Sequence, residues 1–229
     1  MCQDRLMANE ARSKTRRADA LSKDRIVRAA IDILDRSGEG GLTTRSLAAS
    51  LETGSGAIFH HVGSRDELLR TAVDLIVADV IAGIPLETTP EESVRLLMMG
   101  VFDAIQAHPW AGAQLAREPW QTAVLEVFLE IGSRLHPLGV REEELFDADS
   151  TLLSYLLGIA GQLAASVTIP RGTDRAAFLG VAVRNWLDRH NPADHPFVRQ
   201  VTRLANHDDR EQFIAGLGII LGGLALRSE

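Results

Sequence analysis

Apolar residues return every third or fourth position along most of this chain, and nothing in it reads as a strand hairpin or a repeat. The clearest case follows Ser22, where Ile26, Ala29, Ala30, Ile33 and Leu34 keep the i, i+3, i+4, i+7, i+8 spacing until Ser37-Gly38 closes the run. That spacing gives a helix one apolar stripe. A chain made of such stripes must bury them against one another, which predicts an all-α protein of about nine or ten helices.

The breaks between stripes organise the chain. Thr43 is placed to cap a two-turn helix with Leu47, Ala48 and Leu51 inward; "ETGS" (52–55) interrupts, and "GAIFHH" (56–61) is too short to stand alone. Ser64 and Glu67 form an S-x-x-E capping box ahead of Leu68, Leu69, Ala72, Leu75 and Ile76, in a helix running to about Ala82. After a linker over 83–90, Thr89-Pro90-Glu91-Glu92 opens the next helix, with Val94, Leu97, Met98, Val101 and Ile105 inward, and His108-Pro109 stops it. Further helices are predicted over 120–135, 142–166, 173–189, 196–205 and 209–226. The expected organisation is an N-terminal arm (1–20), a three-helix unit (21–68) and a larger helical body (69–229).

Charge divides along the same line. The net charge is −7, yet residues 1–70 hold twelve Lys/Arg against ten Asp/Glu, so the acidity lies in the remainder. The arm itself is basic, through Arg5, Arg12, Lys14, Arg16 and Arg17, and reads either as a solvated tail or as a DNA-touching arm. No apolar run reaches the roughly 20 residues of a membrane span and no secretory core is visible, so the expected compartment is the cytoplasm. Cys2 is the only cysteine, which excludes an internal disulfide and a cysteine-rich metal site.

Two short helices joined by a tight break and braced by a third make a helix-turn-helix, whose second helix presents its N-terminal end to base edges in the major groove. The composition of 54–61 suits that task. Gly54 and Ser55 allow a sharp turn, Gly56 and Ala57 leave no bulk against the bases, and Ile58 faces inward. Phe59, His60 and His61 project outward, where an aromatic edge meets a thymine methyl and an imidazole reaches a phosphate or guanine N7. Metal binding fits poorly, because adjacent helical histidines point about 100° apart. His190 and His195, near Asp188 and Asp194, read as a polar loop. No cofactor or metal is expected, and no phosphate-cradling loop, nucleophile elbow or His/Glu pair at zinc spacing supports an enzyme.

Residues 42–69, "LTTRSLAASLETGSGAIFHHVGSRDELL", resemble the DNA-binding signature of the TetR family of bacterial repressors. The resemblance implies that Thr43, Thr44 and Arg45 begin the second helix against phosphate or an adjacent base. It implies that Ser55, Gly56, Ala57, Phe59, His60 and His61 form the reading helix, and that Arg65 clamps phosphate. Three departures stand out: Glu52 replaces the usual turn glycine, Thr53 the usual buried aliphatic, and Val62-Gly63 the commoner Phe-Pro.

In the body, the last predicted helix contains Gly216, Gly218, Gly222 and Gly223, each costing about 1 kcal/mol relative to alanine. Close helix approach is the natural compensation. With Gly158, Ala160, Gly161, Ala164 and Ala165 in 142–166, it predicts a homodimer seam built as a four-helix bundle, and hence a palindromic double-stranded DNA operator; packing of the glycines inside one subunit is the alternative. Met98, Phe102, Trp110, Trp120, Phe128 and Tyr155, with Gln106 and Gln162, are candidates for an apolar pocket holding a small-molecule effector. The expected function is a ligand-released repressor; a helical ligand-binding or adaptor protein without DNA binding is the other class.

Overall fold

The computed structural model describes residues 22–166, 175–190, 196–205 and 208–225. The basic arm, His195 and the predicted start of a helix at 173 lie outside the described residues. Among the described residues there are ten α-helices and no strand. They are α1 (Lys23–Gly41), α2 (Thr44–Ser50), α3 (Ser55–Val62), α4 (Arg65–Ala82), α5 (Pro90–Ala107), α6 (Pro109–Arg117), α7 (Thr122–Leu135), α8 (Glu142–Ser166), α9 (Arg175–Leu187) and α10 (Asp209–Ala225). By contact density the chain forms two units, 1–75 and 76–229, and the division falls inside α4.

Local chemistry sets the helix ends. The Ser22 hydroxyl accepts from the Arg25 N–H at 3.2 Å, and the helical path of α1 breaks at Gly38, where φ is 65°. Ile26, Ala29, Ala30, Ile33 and Leu34 are buried on α1, as the spacing predicts, and Val27 joins them. Thr89 caps α5 by accepting from the Glu92 N–H, with Pro90 in the first turn.

Two elements differ from the sequence expectation. His108-Pro109 ends α5 but also starts α6, because a proline lacks an N–H that the first turn of a helix does not need; α6 then buries Trp110, Ala111, Gln114 and Leu115. Residues Pro196–Ala205 form a 3-10 helix in place of an α-helix.

In the N-terminal unit, α2 and α3 pack on α1, and α3 follows α2 directly. In the body, α6 and α7 lie along α8, while α5 touches all three and α10 packs on α5 and α8. At Gly112 helices cross closely, and an added Cβ would stand 2.7 Å from Ile105 Cγ2 and 3.1 Å from the Ala160 carbonyl.

Candidate nucleic-acid interface

The corner between α1 and α2 is built from hydrogen bonds. Thr43 and Ser46 form a reciprocal capping box: Ser46 N–H donates to Thr43 Oγ1 at 3.0 Å and Thr43 N–H to Ser46 Oγ at 2.9 Å. Ser46 Oγ also donates to the Gly41 carbonyl at 2.7 Å. Thr43 thus caps α2 with its exposed hydroxyl, Thr44 is half-buried, and Arg45 is exposed at the helix start.

The turn after α2 explains how the chain manages without its glycine. Thr53 N–H donates to the Ala48 carbonyl at 3.1 Å and Glu52 N–H to the Ala49 carbonyl at 3.3 Å. Those two bonds make a Schellman motif, whose C′ residue takes a left-handed conformation that glycine adopts without steric cost. Glu52 takes it here, at φ 51°, the one positive φ of a non-glycine residue among the described residues. The turn geometry survives the substitution and carries the strain of a Cβ in that region.

Gly54 then starts α3 with extended backbone and no side-chain cap. Gly56 is exposed, and an added Cβ there would meet nothing within 4 Å, so the first turn of α3 is open at this position. Ile58 and Val62 anchor the opposite side at 1% and 3% exposure, as expected for Ile58. His61 is exposed. The side chains of Ser55, Ala57, Phe59 and His60 lie outside the described residues, so these four are placed by the helix that carries them.

Arg65 occupies a position that its sequence does not announce. Its Nη2 donates to the Glu39 carbonyl at 2.7 Å and its Nε to the Leu42 carbonyl at 3.4 Å, with the Glu39 carboxylate 3.8 Å away. The guanidinium therefore ties the start of α4 to the end of α1, using two of its five donors. Ser64 caps α4 by accepting from the Glu67 N–H at 3.1 Å, and the Glu67 carboxylate fills the space beside Gly63, whose φ is 59°. A cavity of about 290 Å³ lies within this corner, floored by Leu42, Leu47, Ile58, Val62 and Leu68 and edged by Thr43, Thr44, Ser64 and Arg65.

The pocket candidates in the body separate into different surroundings. Met98 and Phe102 are fully buried, and Phe102 stacks on Phe213 at 4.6 Å between centroids. Tyr155 stacks on the same ring at 5.2 Å and donates its hydroxyl to the Phe213 carbonyl at 3.2 Å. Phe213, absent from the sequence-based set, is thus the centre of a three-ring stack. Trp110 is buried edge-on to His108, and Phe128, half-buried, meets Phe146 edge-on. Gln106 is exposed and Trp120 is 83% exposed, so neither faces the stack. Gln162 edges a separate cavity of about 230 Å³, with Ile159, Leu163, Leu179, Leu204, Asp209 and Gln212. His190 stacks on Trp186 and bonds its carbonyl at 2.8 Å through Nδ1. Among the described residues no group of three His, Cys, Asp or Glu could hold a metal, and no helix is long and apolar enough to cross a membrane.

The helix-interior glycines fall into two sets. An added Cβ at Gly216 would collide with the Tyr155 ring, so that glycine serves packing within the subunit. At Gly158, Gly218, Gly222 and Gly223 nothing lies within 4 Å. Ile219, between them, is 77% exposed.

No protein-family model matches the chain. Over 219 residues it is 31% identical to an HTH-type transcriptional regulator of Saccharopolyspora erythraea, covering 94% of this chain and 89% of that one. Its structure is similar to that of a TetR transcriptional regulator from Streptomyces coelicolor, with a TM-score of 0.78 and 39% identity over 92% of this chain and 100% of that one. It also shares its fold with ActR of Streptomyces coelicolor, solved in complex with actinorhodin, at a TM-score of 0.71 and 24% identity over 91% and 99% of the two chains.

Proposed function

The chain belongs to the TetR family of transcriptional regulators, and from that premise we propose that it is a homodimeric repressor that grips a palindromic operator with two copies of α3 and lets go when a small molecule enters the body. The observation that carries the DNA-binding part is the first turn of α3. It is side-chain-free at Gly54 and Gly56, held outward by a Schellman turn on one side and by buried Ile58 and Val62 on the other. A bare helix N-terminus brings backbone N–H groups close to phosphate, and leaves His60 and His61 one turn on to read base edges. Arg45, Thr44 and Arg65 flank it as phosphate contacts, which position the protein without specifying sequence.

The open glycine face supports the dimer. Four helix-interior glycines with nothing against them, beside an exposed Ile219, gain stability only when another helix approaches closely. We place the same face of a second copy there, through α8 and α10. Release follows if the effector binds the conformation with wrongly spaced reading helices more tightly than the DNA-competent one. The connecting element is α4, which carries Arg65 in the N-terminal unit and Asp79 in the body. Phe102 and Tyr155, stacked on Phe213, are the proposed centre of the effector site, with Met98 and Trp110 as further candidates; their character favours a flat or apolar effector over a sugar phosphate.

A mobility-shift assay with DNA upstream of the protein's own gene tests the reading. One dimer should bind a specific duplex about 10³-fold or more tightly than a scrambled one, and some compound that binds the body should abolish the shift. Equal affinity for both duplexes removes the repressor reading and leaves a helical ligand-binding protein.

A further inference from the structure

We propose that Asp149 is a proton-binding site in the wall between α7 and α8, and that it makes the hold of the body on α8 depend on pH. The core face of α8 runs through Leu152, Leu156, Ile159, Ala160 and Leu163, all buried. One turn back, the same face reaches Ala148 and Asp149, the latter only 3% exposed. A carboxyl group therefore sits where the helix pattern calls for an apolar side chain.

The facing helix is shaped to accept it. An added Cβ at Gly132 of α7 would lie 2.7 Å from Asp149 Oδ2, so a larger residue there would have to displace the carboxyl. The Gly132 backbone hydrogen-bonds the carboxyl, while Oδ1 is buried with no partner.

Among the described residues no cation pairs with the carboxylate. On α7, Arg134 pairs with Glu130 and donates to Ser93 of α5 at 2.8 Å. At the start of α8, Arg141 pairs with Glu143 and Glu144, and on α10 Arg210 pairs with Asp103 of α5. Neither these groups nor Arg117 of α6 contributes to the behaviour of Asp149: burial is the larger cause, pushing its pKa up to about 7, and the Gly132 bond opposes it. His136, one turn beyond Gly132, is exposed.

The linkage has a definite sign. Below the ordinary carboxyl range both folded and unfolded chains hold the proton, and nothing is lost. As pH rises the unfolded chain releases its proton first, so stability falls continuously until about pH 7 and then levels. Proton uptake thus tightens α8 on its buried side, away from exposed Gly158. This inference is independent of the DNA-binding reading.

The test uses the full chain. Carbon-13 titration of the wild-type Asp149 carboxyl should give a midpoint near 7, and denaturant unfolding from pH 5 to 8 should show the wild-type transition moving to lower denaturant as pH rises. Asp149→Asn, which keeps shape and removes the charge, should cancel that movement, and His136→Gln should keep it. A carboxyl that titrates in the ordinary aspartate range overturns the proposal, whether or not the Asn variant folds. So does an Asp149→Asn protein that retains the wild-type pH dependence.

Discussion

In the N-terminal unit Gly38 and Gly63 stand where the chain changes direction, with φ of 65° and 59°; in the body Gly139 does the same at φ 87°, but Gly158, Gly218 and Gly222 stand inside helices, with empty space beside them. The first use is conformational and is settled within a few residues. The second is about distance, and is settled only by whatever packs against the helix. The N-terminal unit therefore explains itself residue by residue, through its capping box, its Schellman turn and its Arg65 tie, whereas the body has open helix glycines on α8 and α10 that the proposed dimer would cover. The proposed function divides accordingly: a unit complete in itself would present α3, and the open face, covered by a second copy, would set the spacing of two such units.

The largest effect should come from closing the open space. Gly218→Leu with Gly222→Leu puts bulk where nothing lies within 4 Å, so the single chain should fold with unchanged or slightly greater helicity. Sedimentation should nevertheless report monomers, with operator affinity down by more than about 100-fold, since one copy holds only one half-site. A dimeric double variant with full affinity would place the seam elsewhere. Gly216→Leu supplies the contrast, because it collides with Tyr155 and should cost the body stability before it affects assembly.

Next in size is Arg65→Ala. It removes charged hydrogen bonds to two corner carbonyls, which in a half-exposed side chain are together worth about 1 to 2 kcal/mol, so thermal unfolding of the N-terminal unit should shift down. If the remaining donors also reach phosphate, the slope of log affinity against log salt should fall by about 0.9. We expect both changes; a variant with neither would leave Arg65 without a role in the corner or on DNA. His60→Ala should act differently, relaxing preference at one base pair per half-site by about 1 to 3 kcal/mol. Equal loss on specific and random DNA would take His60 out of the base-reading set.

The smallest expected effect tests the conformational use of glycine directly. Glu52→Gly should stabilise the N-terminal unit by about 0.5 to 1 kcal/mol, as release of left-handed strain outweighs the added freedom of the unfolded chain. Glu52→Ala should give no such gain. Equal melting temperatures for the Gly variant and wild type would mean that the turn stores no strain.

How much was legible in the sequence follows the same division. Ser22, Thr43, Ser64 and Thr89 each mark a helix start through short-range hydrogen bonds, and each does so in the structure. Arg65 was legible only as a surface cation, because its partners are carbonyls at positions 39 and 42. In the body the apolar spacing located most helices but not which aromatic residues meet. Phe102 and Tyr155 converge on Phe213 across chain separations that no local pattern encodes, and Trp120 points outward from a segment rich in apolar residues. Asp149 did leave a local trace, a carboxyl on the stripe that Leu152, Leu156 and Leu163 define. The helix Pro109–Arg117 was concealed because one proline both ends a helix and begins the next.

The proposed repressor holds one DNA molecule with two copies of α3 at a fixed spacing, and a footprint on the operator with and without a five-base-pair insertion between its half-sites measures that most directly. Two symmetric protected patches should appear about 34 to 36 Å apart on the parent duplex. The insertion turns one half-site to the opposite face of the duplex and should abolish protection of both at the same protein concentration. A single unsymmetrical patch, or two patches that survive the insertion unchanged, would contradict a rigidly spaced dimer.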